Sequence, residues 1–365
     1  MSRCRPEILV VGSGPAGLSA ALEAAGFGAS VIVVDENDTA GGQLFKQIHK
    51  FFGSARHKAG MRGIDIGRAL LREVERLDIE LHLRTTAVGV FDGEVALVRD
   101  EEELEVLRPA RIILATGAME NPLSFPGWTL PGVITAGAAQ TFINIHRVSV
   151  GERVLMVGSG NVGLIVAYQM MQAGCEVAAV VEARPEIGGW GVHASKIRRM
   201  GCQIYTSCTV KQACGQDRVS RVTLQDVDGS FRFVPGTERE LDVDTVCIAA
   251  GLSPRAELAR MIGCSFLHVP DLGGFMPLHG ANMETSHGGV YIAGDIAGVE
   301  EASSAMEEGR LAGLSAAASL GYVCQPVAER RKREIAESLA ALRMGPLAQD
   351  RAVAKRKVVG AYEQR

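Results

Sequence analysis

A glycine pattern that occurs twice constrains this chain more than any other feature. Residues 8–36, ILVVGSGPAGLSAALEAAGFGASVIVVDE, read as strand, glycine turn, helix and strand. Gly12, Gly14 and Gly17 hold the G-x-G-x-x-G positions, and Pro15 and Ala16 open the helix. In such a turn the first glycine makes the bend. The second lets the backbone approach a pyrophosphate, and the third lets helix pack on strand, with the helix N-terminus facing the phosphates. Asp35, 23 residues after Gly12, closes the second strand, followed by Glu36. A carboxylate there accepts hydrogen bonds from a ribose diol. Residues 153–183 repeat the unit, with Gly158, Gly160, Asn161, Gly163 and the strand-end acid Glu182. One more residue separates the last glycine from the acid in this copy. Two βαβ units imply two dinucleotides, or one live site and one relic.

Three further segments punctuate the chain. Residues 111–128 form a strand ending in Thr116-Gly117 and leave through a Pro/Gly-rich stretch. Residues 244–254 form a similar strand ending in Gly251. Residues 288–298 end a third strand at Gly294-Asp295, before a small-residue helix over 299–321 that includes Glu301 and Ala302. The predicted fold is therefore α/β, with two Rossmann-like dinucleotide-binding domains, the second inserted into the first. The first takes residues 1–122 and 256–326, the second 123–255. A basic helical tail, 327–365, carries a net charge of +5 and an Ile335/Leu339/Leu342 stripe suited to packing on the body or on a partner.

Several classes are excluded. From Ile8 to Val34 the only charge is Glu23, and Arg3 and Arg5 precede that run, so it imitates a signal peptide or a membrane span. The glycines break it into short pieces of the kind a buried parallel sheet uses, and no transmembrane segment is predicted. The eight cysteines (Cys4, Cys175, Cys202, Cys208, Cys214, Cys247, Cys264 and Cys324) contain no C-x-x-C and suit no common metal spacing. They read as scattered thiols of a cytoplasmic protein with no metal site. A net charge of −4 gives no general pull toward nucleic acid.

The ordered set GSGPAG, GGQL (41–44), LATG (114–117), GSGNVG and YIAGD (291–295) resembles the two-dinucleotide flavoproteins of the pyridine nucleotide-disulphide oxidoreductase superfamily, across residues 8 to about 321. PGWTLPGVITAGAAQ (126–140) and GVEEASSAMEEGRLAGLSAA (298–317) look like the FAD/NAD subunits of sarcosine oxidase, opine oxidase, hydrogen cyanide synthase and dye-linked proline or hydroxyproline dehydrogenases. The resemblance implies FAD on Gly12, Gly14 and Gly17, with Asp35 on its ribose, Gly42 and Gln43 beside the flavin, and Asp295 on the ribityl chain. It implies a helix from Glu301-Ala302 whose positive end stabilises the reduced flavin by about 0.3–2 kcal/mol. NAD(H) would occupy the second turn. Two departures matter. A thioredoxin-type reductase needs a C-x-x-C, so disulfide reduction is not expected. Several of these subunits carry a cysteine-rich iron–sulfur segment, so any such centre here would sit on another polypeptide.

Weaker signals remain open. The basic stretch 46–62, with Phe51 and Phe52 inside it, fits a flavin cover, a docking site or a solvated loop. His193 fits a helix start better than a nicotinamide contact, and His279 and His287 precede the Gly294-Asp295 turn. Glu182 favours NAD over NADP, because an acid repels a 2′-phosphate; Arg184 softens that preference. The expected function is an FAD-dependent subunit passing electrons between an amine- or amino-acid-oxidising flavoprotein and NAD or another carrier. The alternatives are a free-standing NAD(P)H-dependent flavin reductase and a non-catalytic assembly subunit. Truncation after Pro326 is expected to spare FAD binding and remove partner binding.

Overall fold

The computed structural model describes residues 6–345 and 349–365, so Arg3, Cys4 and Arg5 lie outside it. The chain divides into two compact units. One runs to Met119 and resumes over Ser253–Arg365; the other is Glu120–Leu252. Both crossings fall three residues before the expected boundaries, for a visible reason. The Asn121 amide donates to the Gly251 carbonyl within the second unit, and the Arg255 amide donates to the Gly117 carbonyl within the first.

Each unit is built on a five-stranded sheet whose strands are all parallel. In the first unit the order is Val290–Ile292, Arg111–Leu114, Ile8–Val11, Val31–Val34, Glu80–His82. Ile8–Val11 and Val31–Val34 are buried at every position, the continuous apolar pattern of strands covered on both faces. In the second unit the order is Gln203–Thr206, Glu176–Glu182, Arg153–Val157, Thr245–Ile248, Val133–Thr135. Each unit adds a three-stranded antiparallel sheet: Thr85–Phe91, Glu94–Arg99 and Glu103–Leu107 in the first, Cys208–Cys214, Arg221–Asp226 and Arg239–Asp242 in the second. The repetition seen in the glycine turns thus extends through both units.

Helix Ala302–Ser319 crosses helix Pro15–Gly26 almost backbone to backbone. A Cβ on Gly309 would lie 2.1 Å from the Ala16 carbonyl oxygen, and one on Gly313 2.1 Å from that of Ala20. The small residues of 299–321 are therefore required by packing. The tail forms helices Gln325–Leu342 and Gln349–Glu363. Ile335 and Leu339 are buried in the main core of the first unit, so two of the three stripe residues are covered by their own body, and Leu342 is half-buried. No helix among the described residues is long and apolar enough to cross a membrane.

Candidate functional site

The first turn is shaped by three glycines with three different surroundings. Gly12 has φ +105°, and a Cβ there would sit 2.3 Å from the Ala115 carbonyl oxygen. A Cβ on Gly17 would sit 1.8 Å from the Gly12 oxygen. Gly14 differs: its φ is −69°, and a Cβ would meet nothing within 4 Å. Two glycines let the chain pack on itself, while the middle one leaves open space at the N-terminus of helix Pro15–Gly26. That space suits a pyrophosphate. The second turn has the same pattern. Gly158, also at φ +105°, would place a Cβ 2.4 Å from the Ala249 oxygen, and Gly163 would place one 2.2 Å from the Gly158 oxygen. Gly160, with φ −64°, meets nothing within 4 Å.

The two strand-end acids are clamped alike. Asp35 Oδ2 accepts from the Ser13 amide at 2.6 Å and the Ser13 hydroxyl at 2.7 Å. Its Oδ1 accepts from the Asn37 amide at 2.9 Å and side-chain nitrogen at 2.7 Å. Four donors fill the acceptor capacity of a carboxylate, so a ribose diol reaches Asp35 only when a side-chain donor such as Asn37 turns aside. Glu36 pairs with Arg255 at 2.8 Å. In the second turn Glu182 Oε2 accepts from the Ser159 amide at 2.9 Å and hydroxyl at 2.7 Å. Its Oε1 accepts from the Arg184 amide at 3.0 Å. Among the described residues these three donors leave one acceptor position open on Glu182.

A second shared feature was not singled out in the sequence. Gly-Gly follows each acid at the same distance: Gly41-Gly42 after Asp35 and Gly188-Gly189 after Glu182. Each pair packs on its own glycine turn. The Gly41 amide donates to the Ser13 carbonyl at 2.9 Å, and a Cβ on Gly42 would lie 2.9 Å from Gly14 Cα. The Gly188 amide donates to Ser159 Oγ at 3.1 Å, and the Trp190 amide to Asn161 Oδ1 at 2.8 Å. Ser13, Ser159 and Gly188-Gly189 therefore join the residues that shape the sites, and aligning the repeats past each acid would have found the Gly188-Gly189 pair.

Gly294, at φ +75°, abuts the first turn: a Cβ there would lie 2.8 Å from Ala16 Cβ. Its amide donates to Glu308 Oε2 at 3.2 Å. Asp295 accepts from the Glu300 amide at 3.3 Å, and burial pushes its pKa up to about 6. Glu301 is the N-cap of helix Ala302–Ser319. Thr116 Oγ1 donates to the Arg255 carbonyl at 2.5 Å, and Gly117 has φ +72° with open space beside it. The first unit thus packs Gly42 and Gly294 against the turn Gly12–Gly17, Ala302 packs on the cluster of Leu44, Ile66 and Met306, and Gln43 is exposed. In the second unit Gly251 has φ +100° and a Cβ there would lie 3.2 Å from Asn121 Nδ2.

Two of the singled-out histidines are buried and His287 is exposed. His193 is buried in helix Gly191–Arg199, and burial, with Lys196, lowers its pKa. His279 is buried with Nδ1 at 3.1 Å from the Gly280 carbonyl, and burial drives its pKa down to about 4. The basic stretch 46–62 is pinned to the tail: His57 bonds Ser338 Oγ at 2.8 Å and Arg56 donates to the Glu334 carbonyl at 2.9 Å. No cluster of His, Cys, Asp and Glu among the described residues could hold a metal ion.

Comparison with known proteins agrees with this geometry. Residues 6–309 match the pyridine nucleotide-disulphide oxidoreductase family. An opine oxidase subunit of Agrobacterium tumefaciens (strain Ach5) is 30% identical over 87% of this chain, and the match spans 66% of that protein. The hydrogen cyanide synthase subunit HcnB of Pseudomonas aeruginosa is 29% identical over 84% of this chain and 70% of its own length. The chain thus spans about two thirds of the length of these relatives. The solved thioredoxin reductase of T. acidophilum shares the fold, with a TM-score of 0.70 at 21% identity, over 86% of this chain and 98% of that one. The chain belongs to the pyridine nucleotide-disulphide oxidoreductase family and is an FAD-dependent oxidoreductase. Its family binds FAD and NAD(P), and the two open turns fit such ligands.

Proposed function

We propose that this family member is the FAD-carrying subunit of a hetero-oligomeric dehydrogenase. A partner flavoprotein oxidises an amine or amino acid, and this chain passes the electrons between that partner and NAD or another carrier. Each unit serves as a Rossmann-type dinucleotide domain, the second inserted into the first. The first holds FAD on Gly12, Gly14, Pro15, Ala16 and Gly17, with Asp35 or Glu36 toward the ribose, and Gly42, Gln43, Thr116, Gly117, Gly294, Asp295, Glu301 and Ala302 around the rest. The second holds NAD on Gly158, Gly160, Asn161, Gly163, Glu182 and Gly251.

The pair of glycine turns open at Gly14 and Gly160 carries this reading, because each leaves room for a ligand where the rest of its turn is packed shut. Bound flavin supplies the redox chemistry; this chain orients it and tunes its surroundings. Two facts support a partner. The relatives are named as subunits, and the chain has no C-x-x-C to carry electrons outward as a dithiol. The test is purification from its own cells, flavin spectroscopy, and anaerobic addition of NADH and then of amine. Flavin bleaching by an amine only when a second polypeptide is present supports the proposal. Bleaching by NADH in a chain that has no partner in its own cells supports a free-standing reductase.

A further inference from the structure

The first unit buries an ion network that the proposed chemistry does not use. Two of its carboxylates belong to helix Ala302–Ser319 and the loop before it. Glu308 Oε1 accepts from Lys355 Nζ at 2.6 Å and Arg343 Nη2 at 2.7 Å, while its Oε2 accepts from the Gly294 amide. Glu300 accepts from Arg343 Nε at 2.9 Å and also pairs with Arg343 Nη2. Lys355 further donates to the Ala297 carbonyl at 3.0 Å. The Glu308, Glu300 and Lys355 side chains are 3%, 6% and 6% exposed, so these charges are withdrawn from water. Burial pushes the Glu308 pKa up, and Lys355 and Arg343 more than reverse it.

Both cations come from the tail, and every acceptor lies in or behind the loop Gly294–Glu301. Arg343 ends helix Gln325–Leu342, and Lys355 lies in helix Gln349–Glu363. The second tail helix is anchored independently, with Ala354 and Val358 packed on Leu272, Met276 and Leu278. An exposed ion pair contributes little, but breaking a buried one by removing a partner is strongly destabilising. The network therefore fixes the backbone of the loop to the tail.

We propose that Lys355 and Arg343 are positioning residues for the flavin: through Glu308 and Glu300 they hold the Gly294-Asp295 loop in its FAD-binding form, so the two tail helices are part of the cofactor site. This rests on the reading that Gly294-Asp295 faces the flavin. It replaces the expectation that the tail after Pro326 is dispensable for FAD, since truncation there would strand two buried carboxylates.

Three full-length variants test it. Lys355→Met removes the Lys355 tie to Glu308 and to the Ala297 carbonyl and leaves Glu308 with Arg343 as its cation. The double variant Lys355→Met/Glu308→Gln removes the tie and the carboxylate charge together, with Arg343 still paired to Glu300, and Lys355→Arg keeps the cation. Apo-protein is titrated with FAD, its melting temperature reports folding, and the midpoint potential of bound flavin is measured. The FAD Kd should rise at least tenfold in the first two variants and stay near wild type in Lys355→Arg. The midpoint should fall in Lys355→Met, because losing a cation disfavours the more negative reduced flavin. A tenfold change in the oxidised-to-reduced affinity ratio corresponds to about 30 mV for a two-electron couple. In the double variant the net charge is unchanged, so the midpoint should stay near wild type while affinity still falls. A double variant that melts with the wild type and binds FAD within twofold of it would overturn the proposal. A wild-type chain that takes up no FAD would overturn the underlying reading as well.

Discussion

Replacing Gly14 with valine should separate ligand binding from folding. The backbone at Gly14 lies at φ −69° and ψ −174°, which any L-residue adopts, and a Cβ there meets no atom within 4 Å. The apo-protein should therefore keep its stability within about 0.5 kcal/mol, as for substitutions that break no packing. The branched side chain fills the space assigned to the pyrophosphate, so FAD binding should be lost. With FAD at 100 times its Kd, the stabilisation removed is about 2.7 kcal/mol. At about 2–4 °C per kcal/mol for a domain of roughly 150–250 residues, added FAD should raise the wild-type melting temperature by about 5–10 °C and leave the variant unmoved. Gly17→Ala is the contrasting control. Its Cβ would sit 1.8 Å from the Gly12 oxygen, so it should destabilise the apo-protein itself by about 1–3 kcal/mol. Differential scanning calorimetry of apo-protein, with and without FAD, reads all of these values. A Gly14→Val protein that retains flavin, or melts as early without FAD as Gly17→Ala, would refute the reasoning.

Further outcomes follow from the same geometry. Gly160→Val should abolish NAD(P) binding, read by isothermal titration, while FAD content stays at the wild-type level. NADH should reduce the flavin in preference to NADPH, by roughly 5- to 150-fold for a contact difference of about 1–3 kcal/mol; stopped-flow rates equal for the two would remove the role given to Glu182. Asp295 should leave a pH signature in the apo-protein. The folded chain holds its proton up to about pH 6, whereas an unfolded aspartate releases it near 3.9. Asp295 therefore contributes stability at low pH that is lost as pH rises between those values. His279, depressed to about 4, acts in the opposite sense, losing stability as pH falls below about 6.5. Melting curves of Asp295→Asn should then show a steeper acid loss between pH 6 and 4 than the wild type, and superimposable profiles would contradict this.

The glycine turns were legible because each carries its own reason in three residues: two close approaches and one open position. The parallel strands were legible because Ile8–Val11 and Val31–Val34 are apolar at every position. What the sequence concealed is tertiary. Ser13 and Ser159 read as ordinary turn residues, yet each clamps a strand-end acid. Lys355 and Arg343 read as surface charges of a basic tail, since nothing local indicates that Glu300 and Glu308 wait for them. Ile335 and Leu339 could be read as a partner stripe until the core of the first unit was seen to cover them. The hydrogen bonds at the two crossings between the compact units join residues more than a hundred positions apart, which no local pattern shows.

The central claim is that this chain carries electrons for a partner that oxidises the substrate. The most direct test isolates the untagged protein from its own cells, identifies what co-purifies by native mass spectrometry, and adds candidate amines anaerobically to the complex and to each component while flavin absorbance is followed. The account predicts a complex with a second flavoprotein, and bleaching of this chain's FAD by an amine only when both polypeptides are present. A lone homo-oligomer whose FAD is bleached by an amine with no second polypeptide would contradict it.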